Sequence, residues 1–131
     1  LGLATGSSPV GMYQELARRC KEEGLDFSKV HSVNLDEYVG LEGTHDQSYR
    51  YFMKANLLDH VNIDINNTNL PDGTNANADE ECARYHDVIR SMGGIDLQLL
   101  GIGNNGHIGF NEPADTFANY CHCKCLIRLM L

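Results

Sequence analysis

Several features that define whole classes of protein are absent from this sequence. Its 131 residues contain ten Lys and Arg against 18 Asp and Glu, giving a formal charge of −8, with no dense run of basic residues. Nucleic acids and anionic membranes attract basic surfaces, so neither is a predicted partner. No apolar stretch approaches the ~18 residues that a membrane-spanning helix requires. With 42% hydrophobic and 21% charged residues and no low-complexity tract, the chain is predicted to be globular.

The chain also lacks an initiating Met and a leader in which a basic start precedes an apolar segment. We therefore predict a cytoplasmic location and a sequence that begins inside a longer gene. The length fits one α/β domain or a truncated piece of a larger one, because domains commonly contain about 100–200 residues.

The cysteines are arranged unlike those of a disulfide framework or a zinc site. Cys20 and Cys82 are isolated, and the other three lie within residues 121–125. Structural zinc sites usually add a second, distant ligand pair, and none accompanies this tail. The histidines form no H-x-x-x-H pair, so we predict no metal centre and favour an ordinary tail over a metal-binding one.

The spacing of apolar residues predicts alternating strands and helices. The expected strands are residues 1–4, 30–35 and 95–102. The expected helices are residues 9–23, 47–58 and 79–92, with an Asn- and Asp-rich connection between the second and third. The order β-α-β-α-α-β predicts an α/β fold with a partial doubly wound, Rossmann-like and mainly parallel sheet. Ligands bind such sheets outside the carboxyl ends of the strands, so the three strand ends are the places to expect a site.

The first strand end is followed by residues 3–9 (LATGSSP). Glycine lets the backbone approach a ligand, and the N-terminus of the next helix offers unpaired N–H groups to an anion, so this loop could hold a phosphate. The alternative is a capped turn in which Ser8 is the N-cap and Pro9 the first helical residue. The loop lacks the Lys of a P-loop and the spacing of a dinucleotide fingerprint, so nucleotides are not indicated.

The second strand end carries Asp36. A carboxylate that leaves a buried strand at the ligand-binding edge can act as a general base if partial desolvation raises its pKa. The alternative is a loop acid that caps a nearby backbone N–H. The adjacent Glu37 is expected to point away into solvent.

The third strand end is followed by residues 101–113 (GIGNNGHIGFNEP), a density of glycine and polar residues that packing does not require. His107 is the natural proton carrier near neutral pH, with Glu112 to orient its imidazole and Asn105 to supply an uncharged hydrogen bond. A purely structural histidine is the alternative. Because the chain has no G-x-S-x-G motif, proton transfer is favoured over nucleophilic acyl transfer.

Together with residues 34–41 (NLDEYVGL), these motifs resemble the glucosamine-6-phosphate deaminase family of amino-sugar breakdown, from Leu1 to about Phe117. The resemblance implies conversion of glucosamine 6-phosphate and water to fructose 6-phosphate and ammonia, without a metal or an organic cofactor. The expected partner is therefore a small amino-sugar phosphate.

The resemblance also implies roles for individual residues. Asp36 resembles the base that moves a proton between C2 and C1 of the opened sugar. His107 resembles the group that opens the pyranose ring, with Asn105 and Glu112 completing its hydrogen-bonded set. The loop that holds the sugar phosphate is matched by Thr5, Gly6, Ser7 and Ser8.

The chain also departs from that family. Family members are longer, so residues 1–117 are predicted to form an incomplete sugar-phosphate domain, and residues 118–131 an atypical Cys-rich tail. None of the ten basic residues lies inside a site motif, which weakens the expected phosphate binding. Two alternatives stay open: an inactive partial domain that binds sugar phosphate, and a hydrolase resembling 6-phosphogluconolactonase. Exposed sheet edges would favour association into homo-oligomers.

Overall fold

A computed structural model describes residues 1–116 and 121–122. Within them, three short strands form one parallel sheet: β1 (Gly2–Leu3), β2 (Ser32–Asn34) and β3 (Thr68–Asn69). The α-helices of this part of the chain are α1 (Val10–Glu23), α2 (Tyr49–Asn56) and α3 (Ala78–Ser91). Two single 3₁₀ turns, Leu58–His60 and Ile65–Asn67, connect α2 to β3. No helix in the described ranges is long and apolar enough to cross a membrane.

The sheet has the arrangement of a doubly wound fold. Its strands lie in the order β1-β2-β3, and Gln98 adds to the free side of β1 through a parallel bridge to Gly2. The Gly2 backbone donates to Leu97 O (2.7 Å) and accepts from Leu99 N (2.9 Å). The chain thus builds the sheet outward from β1 to β3 and then returns to the other side of β1. In open α/β sheets such a reversal is the switch point at which ligands bind. The parallel pairing and this strand order confirm the predicted fold class.

Two elements differ from the predicted ones. The strand expected at residues 95–102 is reduced to the single bridge at Gln98, because a continuous apolar strand is stable only when both faces are covered. Here Leu97 and Ile102 are 67% and 75% exposed. The second difference is β3, which lies in the Asn- and Asp-rich segment that the sequence predicts to be a connection. Its two residues carry no apolar pattern and are held by pairing with β2.

The helix starts also differ slightly from expectation. Ser8 was expected to cap α1, but Pro9 occupies the N-cap position and no side chain caps this helix. Gly24 ends α1 in the left-handed conformation (φ +74°), as predicted. Ser48 caps α2 by accepting a hydrogen bond from Tyr51 N (3.0 Å).

The core lies between β1 and the first two helices and fixes the strand end that leads into the site. Tyr13 of α1 is fully buried among Leu3, Met53 and Leu57. Its hydroxyl donates to Ala4 O (2.5 Å) and accepts from Ala4 N (3.1 Å). One core side chain therefore satisfies both backbone groups of the residue that follows β1, and it sets the direction of the loop at Thr5.

Candidate active site

Asp36 lies two residues beyond the end of β2 and is half-buried. Burial, together with the charge of the adjacent Glu37, raises the pKa of Asp36 to about 6. Gly109 comes so close that a Cβ there would lie 3.2 Å from Asp36 Oδ2. Gly109 has φ +59°, a conformation that glycine adopts without strain. The backbone after the third predicted strand end therefore passes directly over the carboxylate of the second.

His107, Asn105 and Glu112 form one hydrogen-bonded chain. Asn105 Nδ2 donates to Glu112 Oε2 (2.6 Å), so the amide oxygen of Asn105 is turned toward the imidazole. That oxygen lies 2.7 Å from His107 Nδ1 and also accepts from His107 N (3.2 Å). Since an amide oxygen only accepts, neutral His107 carries its proton on Nδ1 and presents the lone pair of Nε2. Glu112 thus acts on the imidazole through Asn105.

A tight turn places the imidazole against Gly103. Gly103 N donates to His107 O and Gly106 N donates to Gly103 O, both at 2.9 Å. The ring of His107 packs on the Cα of Gly103 so closely that a Cβ at this position would overlap it. The glycine is therefore required by a side chain, not by a positive φ.

An aromatic cluster joins the strand ends and was not predicted from the sequence. Tyr38, Tyr49 and Phe110 pack with ring centroids 4.9 to 5.7 Å apart. The Tyr49 hydroxyl lies 3.3 Å from the Tyr38 hydroxyl and also interacts with the Thr5 side chain. Tyr49 interacts electrostatically with Asp36, and burial raises the pKa of Tyr49. Tyr49 begins α2, and only the tertiary fold brings it beside Asp36 and Thr5.

Glu37 does not point into solvent as expected. Its carboxylate accepts hydrogen bonds from Tyr38 N (2.8 Å), Tyr49 N (2.8 Å) and Arg50 N (3.0 Å). The first N–H groups of a helix have no partner inside the helix and attract negative charge. Glu37 therefore connects the loop after β2 to the start of α2. The neighbouring carboxylates of Asp36 and Glu37 thus differ in environment.

The loop between β1 and α1 is open. Gly6 adopts φ +90°, and Gly6, Ser7 and Ser8 are all exposed beside the uncapped first turn of α1. Thr5 is half-buried and contacts Tyr49. Through Tyr49, this loop is connected to the second and third strand ends.

A cavity of about 960 Å³ lies between the loop after β2, α3 and residues 106–111. Asp36 and Phe110 line it, as do Cys121 and His122, whereas His107 and the loop after β1 do not. Among the described residues, no group of three or more His, Cys, Asp or Glu is placed to hold a metal ion. Apart from Cys121 and His122, the predicted tail lies outside the described residues.

Comparison with known proteins agrees with the motifs. The sequence model of a family described as glucosamine-6-phosphate isomerases/6-phosphogluconolactonase matches residues 1–110. The chain belongs to this family. The glucosamine-6-phosphate deaminase of Clostridium perfringens (strain 13 / Type A) is 64% identical over 122 residues, covering 93% of this chain and 50% of that protein. The deaminase of Lachnoclostridium phytofermentans is 57% identical over 126 residues, or 96% of this chain and 53% of the relative.

Two solved structures share the fold of this chain. A monomeric glucosamine-6-phosphate deaminase superposes with a TM-score of 0.85 at 43% identity, over 88% of this chain and 48% of its own. A 6-phosphogluconolactonase from Thermotoga maritima has a TM-score of 0.67 at 23% identity, a likeness of fold alone. The chain spans about half the length of the relatives that it matches.

Proposed function

We propose that the protein represented by this chain converts glucosamine 6-phosphate and water to fructose 6-phosphate and ammonia. The observation that carries the proposal is the position of a partly desolvated carboxylate, Asp36, beneath the loop that holds the hydrogen-bonded histidine His107. An aldose-ketose shift needs such a carboxylate to move a carbon-bound proton and a second group to move protons on oxygen. Relatives named glucosamine-6-phosphate deaminase are 64% and 57% identical to this chain, which supports the choice of substrate.

Asp36 is the proposed general base. It takes the proton from C2 of the opened sugar and returns it to C1, so that the aldose becomes a ketose. A pKa near 6 leaves the carboxylate ionised at neutral pH and makes its conjugate acid a competent proton donor. The nearby backbone of Gly109 restricts the space above Asp36.

His107 is the proposed acid-base group for opening the pyranose ring. Asn105 holds Nδ1, so Nε2 is the nitrogen that exchanges protons with sugar oxygens. Asn105 and Glu112 are proposed as positioning residues, because they act on the imidazole and not on the substrate. The negative charge of Glu112 favours the amide orientation that keeps His107 in this tautomer.

Thr5, Gly6, Ser7 and Ser8 are proposed to hold the sugar phosphate. The uncapped N-terminus of α1 offers N–H groups to an anion, and the exposed hydroxyl groups of the loop can donate as well. No Lys or Arg lies in this loop, so neutral donors bind the phosphate within the residues of this chain. We propose neither a metal nor an organic cofactor.

The domain and location follow from the same proposal. Residues 1–117 are proposed as an incomplete sugar-phosphate domain, followed by a Cys-rich segment at residues 118–131. A phosphorylated sugar does not cross lipid bilayers unaided, so we place the reaction in the cytoplasm.

The test is ammonia release from glucosamine 6-phosphate by the purified chain. Asp36→Asn and His107→Gln should abolish it, whereas the matched control Asp87→Asn, an exposed acid on α3, should retain it. Release that persists in both site variants would contradict the assigned roles. Binding of the sugar phosphate by folded chain without turnover would favour the inactive partial domain, and lactone hydrolysis without ammonia release would favour the lactonase.

A further inference from the structure

Two thiols that the proposed reaction does not use are in contact on the wall of the cavity. Cys82 lies in the second turn of α3, and Cys121 approaches it from 39 residues further along the chain. Their Sγ atoms are 2.7 Å apart, and no disulfide joins them. The third described cysteine, Cys20 of α1, instead donates to Asn62 Oδ1 (3.4 Å).

We propose that Cys82 and Cys121 form an intramolecular disulfide when the chain meets a small disulfide such as glutathione disulfide. In the first step, one Cys thiolate attacks the small disulfide, forming a mixed disulfide and releasing one glutathione thiolate. In the second, the other Cys thiolate attacks the protein sulfur and releases the second glutathione. Two protein thiols are oxidised and one glutathione disulfide is reduced to two thiols, so protons and electrons balance.

The fold holds Cys82 where this reaction requires it. The adjacent Glu81 and the nearby Tyr85 are 6% and 3% exposed. Glu81 accepts from Asp72 N (2.7 Å) and Tyr85 donates to Asn34 O (2.7 Å). This turn of α3 is therefore anchored to the sheet and to the loop after β3. Cys82 is a fixed partner, and the exposed Cys121 is reachable by a small disulfide.

The environment of Cys121 makes the exchange depend on pH. Although Cys121 is an exposed residue, partial burial of its thiol and the hydrogen bond to Cys82 raise the pKa of Cys121 to about 12. Only the thiolate attacks, so attack by Cys121 is slow at neutral pH and accelerates as pH rises toward that value.

The disulfide would change the cavity beside Asp36. Cys82, Cys121 and His122 all line it, together with Asp36. A covalent bond ties residues 121–122 to α3 and fixes that part of the wall. Oxidation would therefore alter the shape of the cavity that Asp36 lines.

The pairing is tested by mapping the oxidised, folded chain. The protein is incubated with glutathione disulfide at pH 8.5, trapped with N-ethylmaleimide and digested with trypsin. Residues 55–84 and 91–124 should appear as one linked peptide, while Cys20 stays labelled. The variant Cys123→Ser/Cys125→Ser removes competing thiols from the tail, and fragment ions of the wild-type peptide distinguish Cys121 from Cys123.

Three controls make the result decisive. Cys82→Ser and Cys121→Ser should each abolish the linked peptide, whereas Cys20→Ser should leave its yield unchanged. In urea the yield should fall several-fold, because the fold no longer holds the two thiols together. A yield equal in urea and in buffer would overturn the proposal, as would complete labelling of Cys82 in oxidised, folded chain.

Discussion

At the scale of single residues, the pair Asp36 and Glu37 shows how neighbours in sequence can have opposite effects on stability. Asp36 is partly desolvated, and among the contacts described it has no donor to offset this loss. Glu37 instead accepts three backbone N–H bonds. An ionised Asp36 therefore lowers the stability of the fold, whereas Glu37 raises it.

Asp36→Asn should stabilise the fold at neutral pH while abolishing the proposed activity. The folded pKa, about 6, lies above the ordinary value of 3.8, so wild-type stability falls as pH rises through this window. After a discount for partial exposure, we expect a gain of about 1–2 kcal/mol at pH 7.5 and almost none at pH 4. Urea unfolding at both pH values measures it.

Glu37→Gln is the matched control for Asp36→Asn, because it removes a carboxylate one residue away. It should destabilise the chain at neutral pH, since the charge that binds the first N–H groups of α2 is lost. Equal changes in the two variants would contradict the distinction between these two acids.

Gly103→Ala should impair catalysis more than folding. The new methyl group would occupy the space of the His107 ring and displace it from Asn105. A displacement of about 1 Å can lower a rate on the order of 10²-fold. The control is Gly11→Ala on the exposed face of α1, where no atom lies within 4 Å of the added group, and which should be neutral or slightly stabilising. Measuring both kcat/KM and the free energy of unfolding for the two variants separates an effect on catalysis from an effect on folding.

At the scale of secondary structure, the start of α2 links the core to the site. Ser48 is fully buried, and its hydroxyl accepts from Tyr51 N (3.0 Å) and donates to Gly43 O (3.2 Å). The next residue, Tyr49, contacts Tyr38 and Thr5. Loosening this cap would therefore move an aromatic side chain of the site.

Ser48→Ala should cost about 1–2 kcal/mol, because a buried cap leaves two backbone groups unsatisfied. The matched variant is Asn77→Ala at the exposed N-cap of α3, which accepts from Glu80 N (3.2 Å). There water replaces the lost acceptor, so the expected cost is about 0.5–1 kcal/mol. Thermal unfolding compares them, and a larger loss for Asn77→Ala would refute the assignment of burial as the cause.

The elements that could be predicted from the sequence are those with a local signal. Helical spacing and Gly24 located α1, and the apolar segment before Asp36 located β2. β3 could not be found, because its two residues are held only by pairing with β2. The strand at residues 95–102 was overestimated, because an apolar composition does not tell whether both faces are covered.

The site divides in the same way. The motifs predict Asp36 and His107, and the hydrogen bond that holds the imidazole of His107 comes from Asn105, two residues away. The close approach of Gly109 to Asp36, in contrast, joins two distant motifs. The contacts of Tyr49 with Thr5 and of Glu37 with α2 join residues far apart in the chain. No local pattern contains that information, since it depends on how the helices pack on the sheet.

At the scale of the whole molecule, the edge of the sheet beyond β1, as the described residues form it, is apolar. Leu97, Leu100 and Ile102 are 67%, 49% and 75% exposed. Exposed apolar edge segments favour pairing with another chain, and the natural occupant in a pure solution is a second copy. The charge of −8 on each copy opposes this association through repulsion that salt screens.

We therefore expect concentration-dependent self-association that strengthens as salt is raised. Ile102→Lys places a charge at the exposed edge and should shift the chain toward monomer at every salt concentration. Ile65→Lys is the control: Ile65 is also exposed (49%) but precedes β3, at the opposite side of the sheet. Sedimentation equilibrium measures both variants. If Ile65→Lys dissociated the chain as strongly as Ile102→Lys, general repulsion rather than the edge would govern association, because both substitutions change the net charge equally.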